Sequence, residues 1–175
     1  MRLAALVLGV GACLGLLAGA RPALAFEREW HLGGGAGISN GSGLTLSPAL
    51  SAYAAYGLSD VFDARVELTA RGYQIGQQHN PNALSAMVGV AYKLDVLQWV
   101  PWAGVYAGYL GFLERPRADL TFKQHDLALG LGLGLDYAFS RKFGLGVTLR
   151  FDDALGRAST STFDALLRAE YRWGW

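Results

Sequence analysis

The sequence predicts an all-β fold: an eight-stranded antiparallel up-and-down transmembrane β-barrel, preceded by a cleaved signal peptide. Three observations point there. Apolar residues recur at every second position through most of the chain, the period of a strand with two unlike faces. Charged residues collect on the opposite parity. Glycine is in excess, 24 of 175 residues against a usual share of ~7%, without the Gly-X-Y period of collagen. Composition also excludes several classes. At 52% hydrophobic and 17% charged, the chain is too apolar for disorder. Its 15 basic and 14 acidic side chains make no basic field, so nucleic acid is not an expected partner. One cysteine excludes an intrachain disulfide framework and a cysteine zinc site.

Residues 1–25 are expected to be the signal peptide. Met1-Arg2 precedes an apolar run over residues 3–20, and Ala23-Leu24-Ala25 supplies a small-residue cleavage site before Phe26. The apolar run could just span a bilayer as an uncleaved anchor, but its Gly/Ala-rich tail and the Ala-x-Ala site favour cleavage. Val10-Gly11-Ala12-Cys13 has a faint likeness to a lipoprotein box but lies too early in the run. Cleavage removes Arg2, Arg21 and Cys13, leaving 13 basic and 14 acidic residues in a barrel domain over residues 26–175. Without a disulfide, that domain must be held by its own packing or by a bilayer.

The strands follow in order. Glycines blur the phase of the first, over residues 30–38. The second shows Leu50, Ala52, Ala54, Tyr56 and Leu58 on one face. In the third, Phe62, Ala64, Val66, Leu68 and Ala70 alternate with Asp63, Arg65, Glu67, Thr69 and Arg71. The fourth places Leu84, Ala86, Val88, Val90, Tyr92 and Leu94 against Ser85, Met87, Gly89, Ala91 and Lys93. The fifth, over 101–112, is again blurred by glycine. The sixth is the clearest, with Leu127, Leu129, Leu131, Leu133, Leu135 and Tyr137 facing away from Asp126, Ala128, Gly130, Gly132, Gly134 and Asp136. In the seventh, Leu145, Val147, Leu149 and Phe151 oppose Gly144, Gly146, Thr148, Arg150 and Asp152. The eighth alternates Phe163, Ala165, Leu167, Ala169, Tyr171, Trp173 and Trp175 with Asp164, Leu166, Arg168, Glu170, Arg172 and Gly174. Residues 84–97 and 163–171 also tolerate a helical period; Val88-Gly89-Val90 and the terminal aromatics favour strand.

Short links at 59–60, 94–100 and 140–142 alternate with longer, polar ones at 39–47, 72–82, 113–124 and 153–162. That is an up-and-down barrel with one tight rim and one looped rim. A soluble lipocalin-like barrel would turn its apolar face inward, and Gly130, Gly132 and Gly134 would then be a bare exposed stripe. With lipid outside, the same glycines face a crowded interior and leave room for Arg and aromatic side chains from opposite strands. This register sends Glu29, His31, Asp63, Arg65, Glu67, Arg71, Lys93, Asp126, Asp136, Arg150, Asp152, Asp164, Arg168, Glu170 and Arg172 inward. All five Trp (30, 99, 102, 173, 175) fall at the tight-turn rim, and Tyr73, Tyr109, Phe112, Phe122, Phe151 and Phe163 near the other. Two aromatic belts around an aliphatic band are what a bilayer's two interfaces select.

The eight-strand pattern, the Pro101-Trp102-Ala103-Gly104-Val105-Tyr106-Ala107-Gly108-Tyr109 segment and the end Ala169-Glu170-Tyr171-Arg172-Trp173-Gly174-Trp175 resemble the small outer-membrane β-barrels of Gram-negative bacteria, the OmpA transmembrane domain and OmpX-like group. The resemblance covers residues 26–175; a periplasmic peptidoglycan-binding domain like that of OmpA is not expected. It implies a cell outer-membrane location with both termini in the periplasm, contact with the bilayer and lipopolysaccharide, and a monomer. It also implies that Tyr171, Trp173 and Trp175 form the assembly signal read by the outer-membrane assembly machinery.

Of the candidate chemistry, the inward charges stand out. Asp63, Arg65, Glu67 and Arg71 could meet Arg150, Asp164, Arg168, Glu170 and Arg172 as a gated ion path or as a lumen-filling structural network. The narrow interior of eight strands favours the network. An open porin needs about twice as many strands. A lipid A-modifying enzyme would need a Ser nucleophile with a His base and an orienting acid. His31 belongs to the interior, His79 to the Gln77-Gln78-His79-Asn80-Pro81 loop, and His125-Asp126 has no Ser at short spacing, so no enzyme is expected. Gly33-Gly34-Gly35-Ala36-Gly37 is strand glycine, with no helix and Lys after it to make a phosphate loop. Asp152-Asp153 is expected to be a solvated pair at the looped rim. No cofactor or metal is expected. The function expected is a structural, membrane-integrity barrel; the alternatives are a loop-mediated adhesin or receptor and a narrow pore.

Overall fold

Alternation of this kind can bury one face only by sheet pairing, and the computed structural model shows the result in eight strands. It describes residues 29–41, 46–72, 82–94, 98–113, 125–156 and 160–174. The strands are β1 (Trp30–Gly41), β2 (Ser47–Gly57), β3 (Phe62–Gly72), β4 (Asn82–Lys93), β5 (Trp99–Phe112), β6 (His125–Ala138), β7 (Phe143–Ala154) and β8 (Ser161–Trp173). Each pairs antiparallel with the next, and β8 returns to β1, so the barrel closes and leaves no edge. From His31 the register passes Ala55, Arg65, Gly89, Tyr106, Gly130, Asp152 and Thr162, and meets β1 again at Gly41, ten residues on. Such a stagger tilts the strands by about 35–45° and leaves an interior only as wide as its side chains.

The two faces are inverted relative to a soluble protein. Leu131, mid-strand on β6, is 58% exposed, whereas Arg150 on neighbouring β7 is 2% exposed. Leu, Val and aromatic residues cover the outside; Arg, Asp, Glu, Thr and Ser fill the inside. Water would not select this arrangement, because it strands charge in the interior and aliphatic surface in solvent. Hydrocarbon would, since it has nothing with which to solvate charge.

Two short turns at one rim share one device. Ser59 Oγ accepts from the backbone N–H of Phe62 (3.2 Å) between β2 and β3, and Ser140 Oγ accepts from Phe143 N–H (3.1 Å) between β6 and β7. A serine hydroxyl replacing a backbone acceptor is a local way to reverse the chain.

Three expectations change. The blurred fifth strand resolves with Val100, Trp102, Gly104, Tyr106, Gly108, Leu110 and Phe112 inward. Trp102 and Phe112 are therefore buried in the lumen and do not belong to the aromatic belts; Trp30, Trp99 and Trp173 do face outward at the short-turn rim. The inner glycines accommodate rings from the adjacent strand, whereas opposite strands were expected: a Cβ on Gly134 would fall within the indole of its cross-strand partner Trp102. Likewise, a Cβ on Gly132 would come to 3.0 Å of Tyr106 Cε2. Finally, β8 ends at Trp173, and Gly174 turns the chain with a φ of 101°, a region that favours glycine. Trp175, the expected cleavage point at Phe26, His79, Tyr73 and Phe122 lie outside the described residues.

The inverted faces set a depth-dependent cost. Leu131→Arg places a cation at mid-band and should lower stability in lipid vesicles by about 2–4 kcal/mol, whereas Leu155→Arg, just past β7 at the looped rim, should cost ~0–1 kcal/mol. Urea unfolding from vesicles measures both, and equal costs would mean that the band does not lie in hydrocarbon.

Candidate functional site

The candidate site is the lumen. Its charges come from β1, β3, β4, β6, β7 and β8, each presented on the inner parity of its strand. The pairs divide into two tiers along the barrel.

The tier nearer the looped rim is built from the ends of β3 and β7 and the starts of β4 and β8. Arg71 holds Asp164 with two guanidinium nitrogens, Nε to Oδ1 at 2.9 Å and Nη2 to Oδ2 at 2.5 Å. It also donates to Asp152 at 2.8 Å and to Ser85 Oγ at 2.9 Å. Arg150 donates through Nε to the other Asp152 oxygen at 2.9 Å and through Nη1 to Glu67. Asp152 thus bridges two arginines, and the Arg71 and Asp164 side chains are fully enclosed.

The second tier sits at the short-turn end. Glu170 is its hub: it accepts from Arg172 (2.6 Å), Arg168 (3.1 Å) and the Tyr53 hydroxyl (2.5 Å), and lies 3.1 Å from His31 Nδ1. Arg168 also reaches Asp136 at 2.7 Å. Asp63 lies 3.1 Å from Lys93 Nζ and 3.5 Å from Arg65. Glu29 is 3.5 Å from the far nitrogen of His31.

Aromatic rings occupy the space beside these charges. Arg65 and Arg168 both lie over the Trp102 ring, at 4.3 and 4.8 Å from its centroid, and both approach Tyr53, at 5.3 and 4.6 Å. Arg150 lies 4.0 Å over Tyr106. A guanidinium is weakly hydrated and planar, so an aromatic face suits it where acceptors run short. On the β4–β7 side, Met87, Tyr106, Leu110, Ala128 and Ala154 form a buried apolar cluster inside the lumen.

All nine expected network residues (Asp63, Arg65, Glu67, Arg71, Arg150, Asp164, Arg168, Glu170 and Arg172) are buried, with ion pairs distributed over both tiers. Asp152, Asp136, Lys93, His31 and Glu29 join them, and their parity already pointed inward. Sequence reasoning missed Tyr53, Trp102 and Tyr106; their one signal was that each stands opposite a glycine, visible only once register is known. The solvated Asp152-Asp153 pair is corrected. The two face opposite sides of the sheet, Asp152 buried between arginines and Asp153 accepting from Ser161 Oγ at 2.6 Å. Tyr171 and Trp173 stack outside the barrel at 5.7 Å.

The histidines have defined partners. His31 sits between Glu170 and Glu29, and the Tyr109 hydroxyl bonds His125 Nδ1 on the outer face near the looped rim. Among the described residues, neither has a serine hydroxyl as partner, and no cluster of His, Cys, Asp and Glu is arranged to hold a metal ion.

Comparison with known proteins adds the fold. No family model matches the chain, and no curated protein matches its sequence. Solved structures do. Neisserial surface protein A superposes with a TM-score of 0.68 at 13% identity, over 83% of this chain and 97% of that one. The N-terminal β-barrel domain of Pseudomonas aeruginosa OprF gives 0.62 at 14% identity, over 85% of this chain and all of that domain. The outer membrane enzyme PagL gives 0.54 at 12% identity, over 80% and 97%. The chain is therefore similar in architecture to small eight-stranded outer-membrane barrels, among them one enzyme, and the likeness is one of fold.

Proposed function

We propose that the protein is a structural barrel of the Gram-negative outer membrane, with both termini in the periplasm, and that it serves membrane integrity without a conducting or catalytic lumen. The observation that carries this is the pairing of the lumen charges. Arg71, Asp152 and Asp164 interlock with side chains wholly withdrawn from solvent, and the aromatic and apolar side chains of β4–β7 occupy the space beside them. An ion path would require both tiers to open. The aliphatic exterior, flanked by Trp30, Trp99 and Trp173 at one rim and Tyr109, Phe151 and Phe163 at the other, supports the bilayer placement. Tyr171 and Trp173, on the outer face of the closing strand, remain the proposed assembly signal, together with Trp175. Lipopolysaccharide at the looped rim and a monomeric state complete the reading.

The network should be stabilising only while complete. Arg71→Met leaves Asp152 and Asp164 short of a buried cation and should cost about 3–5 kcal/mol in vesicle unfolding. Adding Asp164→Asn to Arg71→Met should recover part of the loss, as a double-mutant cycle would show. Strict additivity would mean that the pair does not interact.

In a planar bilayer the purified protein should give no resolved channel steps. Deleting its gene should sensitise cells to detergent, and a copy with residues 73–80 and 114–123 shortened should restore resistance. Steady conductance would overturn the closed lumen. Failure of the shortened copy to restore resistance, although inserted normally, would assign the function to the loops.

A further inference from the structure

One sector of the outer face carries a groove. Where β8 runs between β7 and β1, the lipid-facing surface sinks into a trough over Ala169, whose cross-strand neighbours are Leu145 and Gly34. Two adjoining grooves share Leu145 and Ala169. One reaches the short-turn rim at Phe139, Phe143 and Tyr171; the other runs toward mid-band along Gly34, Ala36 and Leu167. From Tyr171 to Leu167 the trough spans four residue steps of β8, about 13 Å along the strand at ~3.3 Å per residue, or ~10 Å of depth at the barrel's strand tilt. That is about two thirds of one leaflet of a ~30 Å hydrocarbon core, so the trough stays within the leaflet next to the short-turn rim.

The rim end of the trough carries charge. Phe139 and Phe143 flank the β6–β7 turn, whose Arg141 and Lys142 are both exposed and have no acidic partner among the described residues. The β2–β3 turn at the same rim carries Asp60 and no cation. Glu170, beneath the trough, points its carboxylate into the lumen, where Arg168, Arg172 and Tyr53 engage it.

Paired cations at headgroup level, rings at the interface and an apolar trough within one leaflet form a composite surface. We propose that this β7–β8–β1 sector binds one anionic phospholipid, its phosphate held by Arg141 and Lys142 and an acyl chain laid over Ala169 and Gly34. A second copy of the chain fits less well. Two barrels sharing a leaflet and meeting at this trough about a two-fold axis would bring their Arg141-Lys142 turns together at the same height. The inference rests on the bilayer placement proposed above.

The test uses purified protein in vesicles of equal phosphatidylglycerol and phosphatidylcholine. Insertion is scored first, by heat-modifiable migration and protease resistance; failure there overturns the bilayer placement itself. Native mass spectrometry from nanodiscs of the same lipids then reads the bound lipid. The expected result is a monomer retaining one phosphatidylglycerol, favoured about tenfold over phosphatidylcholine. Arg141→Gln with Lys142→Gln, on an exposed turn, should bring the two lipids to parity, and Ala169→Leu should abolish retention of either. Parity in the unaltered protein, a preference unmoved by the double substitution, retention unaffected by Ala169→Leu, or a dimer in place of the lipid adduct would each overturn the proposal.

Discussion

Hydrocarbon cannot solvate charge, and the remaining features of the barrel follow from that constraint. Each charged side chain within the hydrocarbon band must point inward, with His125 and Asp153 facing outward only at strand ends near the looped rim, and the inside of eight strands is only as wide as the side chains themselves. The charges are therefore forced into contact with one another. With both signs present, the outcome is a pair of interlocked tiers in which Asp152 and Glu170 each serve more than one cation. A buried ion pair is a poor source of net stability when a hydrophobic alternative exists. Here the pairs also fix geometry: Arg71 joins β3 to β4, β7 and β8 across the lumen, which sheet hydrogen bonds between neighbours cannot do.

Filling the tube requires shape as well as charge. Trp102 and Tyr53 stand directly opposite Gly134 and Gly33, so each ring lies over a neighbour with no Cβ to oppose it. The glycine excess thus supplies floor space for aromatics, and the aromatics supply faces on which Arg65, Arg168 and Arg150 rest. Register links the two effects. A one-residue slip of β5 against β6 would set Trp102 and Tyr106 outward among the aliphatic residues and expose the glycine stripe within the lumen.

How legible this was from sequence depended on contrast between the faces. On β3, β6, β7 and β8, charge or glycine alternates with aliphatic residues, and both strand and facing could be read directly. On β5 both faces are apolar: Val100, Trp102, Tyr106, Leu110 and Phe112 inside, Trp99, Pro101, Val105 and Tyr109 outside. Period two has no amplitude there, so the sequence alone groups Trp102 with the belts. Partner identity was out of reach in every case, since Arg71 finds Asp152 and Asp164 through a register that the sequence does not display. Asp152-Asp153 shows the opposite lapse, because adjacency in sequence suggested a shared environment that the pleat forbids.

The inverted faces require that the aliphatic surface meet lipid while the charged, aromatic interior does not. Trp99 and Trp102 test it from one strand, three residues apart and on opposite faces, 56% and 5% exposed. Two single-tryptophan versions of the protein, with the other tryptophans replaced by phenylalanine, would be inserted in vesicles whose lipids carry bromine near the headgroup. Strong quenching of Trp99 with Trp102 left almost unquenched is the predicted result. Equal quenching of both, or the reverse order, would contradict the account.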